Sequence, residues 1–237
     1  MNTQFKNKKI IVAGGSSGIG LTAAILFKQQ QAGVTVTGRN PGKLENAKQT
    51  GLKTAVVDSC DRETLDSFFK DHGPADHLVI SLSGSKGIGD FSTLSLQVLR
   101  EGFEEKYWPV LNTVQAALPF INDGGSITLV TAISAKAQLP GTSGLAALNG
   151  ALEIMVPVWA KEITRIRINA VSPGVIDTSW WDFLPEQEKQ NTFKQYASHI
   201  PAGRIGRPDE IADVILFLAA NEYMTGTVIG CDGGMSL

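Results

Sequence analysis

Lys8-Lys9-Ile10-Ile11-Val12-Ala13-Gly14-Gly15-Ser16-Ser17-Gly18-Ile19-Gly20 is the stretch on which the reading of this chain turns. The run from Lys8 to Ala13 is short, rich in Ile and Val, and stops at glycines, which predicts a buried strand rather than a helix. From Gly18 to Ala32 the spacing changes. Ile19, Ala23, Leu26 and Phe27 recur at threes and fours, which predicts a helix. A glycine-rich turn between the two presents backbone N–H groups at a helix N-terminus, and a pyrophosphate can reach them only where no side chain intervenes. Gly14 permits the tight turn, Gly18 the close approach of the phosphates, and Gly20 the packing of helix on strand. Ser16 and Ser17 add hydroxyls that can donate to phosphate oxygens, and Ile19 completes the motif.

Outward from this stretch the chain alternates. Strands are predicted over 34–37, 52–57, 77–82, 126–131, 167–171 and 227–231. Helices are predicted over 41–50, 61–70, 94–121, 142–163, 180–198 and 208–220. Pro41 opens the first of these helices and Asp61 is placed as the N-cap of the second. Pro109 and Pro119 should kink or break the helix over 94–121, and the helix over 142–163 is poor in charge until Glu162. Alternating buried strands and helices predict a doubly wound α/β fold, a parallel sheet with helices on both faces. No Pro/Ser-rich linker, repeat or low-complexity segment divides the 237 residues, so one domain over 1–237 is expected. In such folds ligands sit beyond the carboxyl ends of the strands.

Composition narrows the classes. The chain is 43% hydrophobic and 19% charged, with a formal net charge of -2, which gives no electrostatic reason to expect nucleic acid or acidic membranes. The segment Met1–Lys9 has no apolar stretch resembling a signal peptide, and no run approaches the roughly 18 consecutive apolar residues of a membrane span. Cys60 and Cys231 form no close-spaced motif, and His72, His77 and His199 lack metal-ligand spacing. A cytoplasmic protein with reduced thiols and no metal is the expectation.

The second strand ends Thr37-Gly38-Arg39-Asn40. NAD-binding proteins place an acidic residue here for the ribose 2′-hydroxyl. This chain has none, and Arg39 offers a forked guanidinium suited to a 2′-phosphate. NADP is the expected cofactor, with NADPH preferred over NADH.

With these residues in place the chain resembles the short-chain dehydrogenase/reductase family over nearly its whole length. Gly14-x-x-x-Gly18-Ile19-Gly20 matches the family's cofactor motif, although Ala13 stands where a Thr is usual. Asp58 closes the third strand where the family's Asp meets the adenine amino group. Ser81-Leu82-Ser83-Gly84 fills the family's Asn-Asn-Ala-Gly slot, keeping only the glycine and placing Ser83 and Gly84 beside the cofactor. Arg167-Ile168-Asn169-Ala170-Val171-Ser172-Pro173-Gly174 is very close to the family's sixth-strand signature. The resemblance implies a Rossmann-type fold, and a loop from Pro173 to Thr178, including Gly174 and Ile176, that flanks the nicotinamide. Gly203-Arg204 through Asp232-Gly233-Gly234 also resembles the family's C-terminal end. A homodimer or homotetramer is implied as well, with interfaces on the charge-poor stretch 142–158 and on 216–220 with the last strand.

The catalytic positions depart from the pattern. The family uses Tyr-x-x-x-Lys on the helix after the fifth strand; alignment here puts Leu145 in the Tyr slot and Asn149 in the Lys slot. Ala132 falls in the catalytic Ser slot, with Thr131 and Ser134 as adjacent hydroxyls. The family's Asn on the preceding helix aligns with Lys106, so Asn and Lys have exchanged positions. On one reading the exchange is compensatory. The Lys106 ammonium then stabilises a developing alkoxide, with Thr131 or Ser134 as hydrogen-bond donors. On the other reading Lys106 is a solvated helix lysine and the site is inactive. Tyr107 is not assigned the proton, because helix neighbours point about 100° apart.

The loop Thr178-Ser179-Trp180-Trp181-Asp182-Phe183-Leu184 carries three aromatics beyond a strand end. It is read either as an apolar lid over an apolar or aromatic substrate or as plain packing. Three functions remain open at this point. The first is an NADP(H)-dependent oxidoreductase acting on a small carbonyl or alcohol through Lys106, Thr131, Ser134 and Asn149. The second is an NADP(H)-binding sensor or scaffold without chemistry, and the third a lyase or isomerase.

Overall fold

The computed structural model describes residues 4–237; the first three positions of the segment read for a leader lie outside the described residues. Seven strands form: β1 (Lys9–Ala13), β2 (Gly33–Gly38), β3 (Lys53–Val56), β4 (Ala75–Ile80), β5 (Ile121–Val130), β6 (Arg167–Pro173) and β7 (Val228–Cys231). They make one sheet in the order β3-β2-β1-β4-β5-β6-β7, and every pairing is parallel. All of β6 is buried, as are four of the five residues of β1. Both faces of the sheet are covered, so the strands read as continuous apolar runs rather than alternating ones.

The helices are α1 (Gly18–Gln29), α2 (Pro41–Gln49), α3 (Arg62–His72), α4 (Leu96–Gly102), α5 (Trp108–Ala117), α6 (Ser134–Ala137), α7 (Ser143–Glu162), α8 (Glu186–His199) and α9 (Pro208–Ala220). One apolar layer packs Phe27 of α1 and Ile215 of α9 against Val12 and Val36 of the sheet. The opposite layer packs Leu65 of α3, Val114 of α5 and Leu152 of α7 against Leu78 and Ile127. The chain winds one way from β1 to β3 and the other way from β4 onward. The loops after β1 and β4 therefore part at the carboxyl edge and open a crevice.

Three predicted elements are corrected. The helix expected over 94–121 is three pieces: α4, a π-helical turn over Phe103–Tyr107, and α5, closed by a 3-10 turn at Leu118–Phe120. Pro109 explains the widening. It has no N–H for the Glu105 carbonyl and its ring crowds that oxygen, so the backbone opens and Trp108 N–H donates to Phe103 O instead. The fifth strand starts earlier than 126, because Ile121 already pairs with Ala75 before a register shift between Ala75 and His77. The helix expected over 180–198 is a 3-10 turn at Ser179–Trp181 followed by α8, with Pro185 at the N-cap.

α7 is long and apolar enough to cross a membrane by length and composition. Its buried stripe is Gly144, Leu148, Asn149, Leu152, Glu153 and Val156, a spacing that turns one face inward. Two polar side chains lie on that face, and they belong to the site.

Candidate functional site

A cleft of about 550 Å³ opens at the carboxyl edge, where the strand order reverses. Its floor is the glycine turn. Gly14 has φ +77°, and a Cβ there would sit 2.5 Å from the Ser81 carbonyl oxygen, so the turn and the β4 loop can touch only through a glycine. A Cβ at Gly20 would sit 2.5 Å from the Gly14 carbonyl oxygen; the missing side chain lets α1 start directly on the turn. Ser17, the N-cap of α1, makes no side-chain cap bond, and no acidic residue lies in the first turn. The first N–H groups of a 12-residue helix therefore face the cleft with a partial positive charge and no internal acceptor. This cradle fits a dinucleotide's phosphates.

Gly14, Ser17, Gly18 and Ile19 line the cleft, while Gly20 lies behind them. The Gly18 Cα faces the Thr178 side chain, so part of its role is contact between the turn and the loop after β6. Ser83 and Gly84 form one rim; Pro173, Gly174, Ile176 and Thr178 form the other. Ser16, Arg39 and Asp58 are not part of the walls. Arg39 is exposed at the end of β2, and the Asp58 carboxylate accepts from Cys60 N–H at 2.9 Å. Lys43, in the first turn of α2, lines the cleft and was not singled out from the sequence. Its signal was a cation four residues beyond Arg39, just after an Asn–Pro helix start.

At the other end of the cleft a connected polar cluster is built from the π-helical turn, the end of β5, α6 and α7. Lys106 projects from the π-helical turn and is 8% exposed. Its Nζ donates to Asn149 Oδ1 of α7 at 2.8 Å and to the Thr131 carbonyl oxygen after β5 at 3.2 Å. Asn149 is locked in turn: its Nδ2 donates to the Leu145 carbonyl oxygen at 2.9 Å and to Ser134 Oγ at 3.3 Å. Burial pulls the Lys106 ammonium down from 10.5 to about 8, while the Glu153 carboxylate acts in the opposite direction. The four residues singled out from the sequence, Lys106, Thr131, Ser134 and Asn149, thus share one cluster, and each contributes to the cleft wall. The expectation of a solvated Lys106 is corrected, because the wider turn directs the side chain inward between α7 and β5.

Thr131 differs from its reading as a hydroxyl donor. Its Oγ1 donates to Glu153 Oε1 at 2.8 Å, pointing behind the cleft wall, and its contribution toward Lys106 is the carbonyl. Glu153 was missed. The carboxylate is 8% exposed, also accepts from Ser172 Oγ at 2.6 Å, and has Lys136 Nζ 3.7 Å from its other oxygen. The available signal was a single acid one helical turn after Asn149 in an otherwise apolar stretch.

The aromatic loop closes over the cleft. Trp180 Nε1 donates across it to the Gly84 carbonyl oxygen at 3.1 Å, and Trp181 Nε1 donates to the Ile176 carbonyl oxygen at 3.0 Å. Trp180, Trp181 and Phe183 pack edge-on or stacked against one another, and Trp181 also packs against Phe193 and Tyr196 of α8. Leu139, Leu145 and Leu148 line the facing wall.

Known proteins resemble this chain along its length. The family model described as enoyl-(acyl carrier protein) reductase matches residues 13–236. The 3-oxoacyl-[acyl-carrier-protein] reductase FabG of Thermotoga maritima is 31% identical, with 98% of this chain and 99% of the relative covered. The 3-oxoacyl-[acyl-carrier-protein] reductase of Rattus norvegicus is also 31% identical, again covering 98% of this chain and 99% of the relative. Among solved structures, a small-chain dehydrogenase in complex with NADPH superposes with a TM-score of 0.84 at 28% identity, covering 98% of this chain and 99% of that one.

Proposed function

The chain belongs to the short-chain dehydrogenase/reductase family, and from that premise we propose that it is an NADPH-dependent reductase of a small apolar carbonyl compound, with Lys106 as the proton donor. The observation that carries this reading is the buried Lys106 ammonium, held at the cleft wall by Asn149 Oδ1 and the Thr131 carbonyl. NADPH, when bound, supplies a hydride to the carbonyl carbon. An ammonium has three N–H donors; two are committed, which leaves one for the oxygen on which charge develops. Lys106 stabilises that oxygen and then gives it a proton. The neutral amine left behind is the form that burial favours. A group near pH 8 gives up and regains its proton readily at ordinary pH. The Ser134 hydroxyl accepts from Asn149 Nδ2, so its own proton remains free to donate to the same oxygen.

The phosphates are assigned to Ser17 and the α1 N-terminus, with Arg39 and Lys43 supplying positive charge for a 2′-phosphate. Ser83, Gly84 and the loop 173–178 border the nicotinamide. The aromatic loop and the leucines opposite exclude water and select an apolar substrate. Exposed Ile154 and Val158 on α7 and Phe217 on α9 support a homo-oligomer.

NADPH oxidation over a panel of aldehydes, ketones and quinones tests the reading. Turnover by the native protein that is lost in Lys106→Met is expected, and full turnover in that variant sinks the assignment. A second reading is favoured by one feature, Leu145 and Asn149 on α7 where a Tyr and a Lys serve in the family pattern. It is a protein that binds NADPH and performs no hydride transfer. NADPH binding with no turnover of any carbonyl is its signature.

A further inference from the structure

The cluster around Lys106 includes a carboxylate that the reaction itself does not need. Glu153 is buried in an apolar layer beside Leu152 and Val156, where an ionised side chain is costly unless it is paired and hydrogen-bonded. It is both. Thr131 and Ser172 donate hydroxyl protons to Oε1, and Lys136 of α6 lies beside Oε2 at the solvent edge. Asn149 and Glu153 lie one turn apart on the same face of α7, so the partner of Lys106 and the carboxylate are carried by one helix. Thr131 links them directly: its carbonyl accepts from Lys106 and its hydroxyl donates to Glu153.

We propose that Glu153 is a positioning residue that keeps the proton on Lys106, and that Lys136 partly offsets it from the solvent side. The inference rests on the reading of Lys106 as the proton donor. A lysine enclosed by α7, β5 and its own turn tends to shed its proton, and a negative charge behind the wall opposes this.

The other charged groups nearby have different engagements. Glu105, next to Lys106 on the π turn, accepts from the backbone N–H groups of Ser85 and Lys86. Lys86 pairs loosely with Glu101 at 4.0 Å, and Glu104 is exposed. From α7 the charge facing inward is Glu153, and from α6 it is Lys136; Asn149, Thr131 and Ser172 are neutral. Glu153 is accordingly the charged group that raises the Lys106 titration against burial.

Two variants separate this from a purely structural role, because they carry opposite signs. Glu153→Gln keeps an oxygen for Thr131 and Ser172 but removes the charge, so the Lys106 midpoint falls by about one pH unit. Lys136→Met, at a half-exposed position, removes the offsetting cation, so the midpoint rises. The readout is the 15Nζ resonance of Lys106 followed against pH in the full-length protein without ligand, assigned by its loss in Lys106→Met. The alkaline limb of the NADPH-dependent rate is measured alongside. A midpoint unmoved in Glu153→Gln, or one unmoved or lowered in Lys136→Met, overturns the proposal. The two readings fail separately. Midpoints that move as expected in a protein that turns over no carbonyl leave the coupling standing and remove Lys106 as a catalytic residue. A static midpoint with carbonyl turnover intact removes only the role of Glu153.

Discussion

Lys106 is the residue on which most depends. In the proposed reaction its ammonium is charged when the substrate oxygen takes up negative charge, so reduction should slow as pH rises through about 8, where the proton is lost. Lys106→Met keeps the buried volume apolar and removes the donor. Turnover should fall by about 10²–10⁴-fold, the range for losing a general acid, while NADPH affinity measured by calorimetry stays near that of the native protein. A variant that loses both has lost the cleft rather than the acid. Arg39 lies beyond the opposite end of the cleft, exposed at the end of β2. In the proposed function, with no acidic residue there, selection for the 2′-phosphate rests on Arg39 together with Lys43. Arg39→Ala should weaken NADPH by about tenfold and leave NADH nearly unchanged, since one charge-assisted contact is worth about that much. Equal loss for both cofactors would place Arg39 outside the phosphate contacts.

At the scale of elements, two local irregularities position the site. The π-helical turn forced by Pro109 rotates Lys106 toward α7 and β5; a regular α-helix would carry the side chain about 100° further round for each residue of slip. The second irregularity is the contact of α1 with the glycine turn. A methyl group at Gly20 meets the Gly14 carbonyl oxygen at 2.5 Å, and backbone on both sides cannot yield cheaply. Gly20→Ala should cost about 1–3 kcal/mol of stability, read as a lower urea midpoint, and should weaken NADPH binding as α1 moves off the turn. Unchanged binding in a destabilised protein would mean that the phosphates do not use the α1 N-terminus.

For the whole molecule, the sheet interior sets an acid limit. His77, on β4, is 7% exposed, packs edge-on against Phe5, and has its Nδ1 2.9 Å from Ser126 Oγ. Desolvation, with Arg167 adding to it, lowers its titration from 6.5 to about 4. The unfolded chain therefore binds a proton that the folded protein refuses between those values. The neutral ring's contribution is complete above about pH 6.5 and is lost as pH falls toward 4, about 3 kcal/mol across the window. Urea midpoints measured between pH 7 and 4 should fall steeply in the native protein and less steeply in His77→Gln. Parallel curves would assign the acid sensitivity to other groups.

The α/β alternation, the parallel sheet and the glycine turn are legible in the residues alone, because each follows from local chemistry. Apolar runs of strand length, threes-and-fours spacing and glycines at a strand end need no distant partner to be recognised. Resemblance placed Lys106, Thr131, Ser134 and Asn149 in one group. What these groups do to one another follows from how the folded chain packs. That Lys106 is buried, that Thr131 turns its carbonyl toward the lysine and its hydroxyl away, and that Glu153 stands behind both are consequences of three elements packing together. Residues 106, 131 and 153 are far apart in the chain, and the direction of a side chain depends on helix phase. A single proline altered that phase, and the sequence predicted a kink or break there without its direction. Burial, and with it the protonation of a lysine, is a property of the packed state and is written in no local pattern.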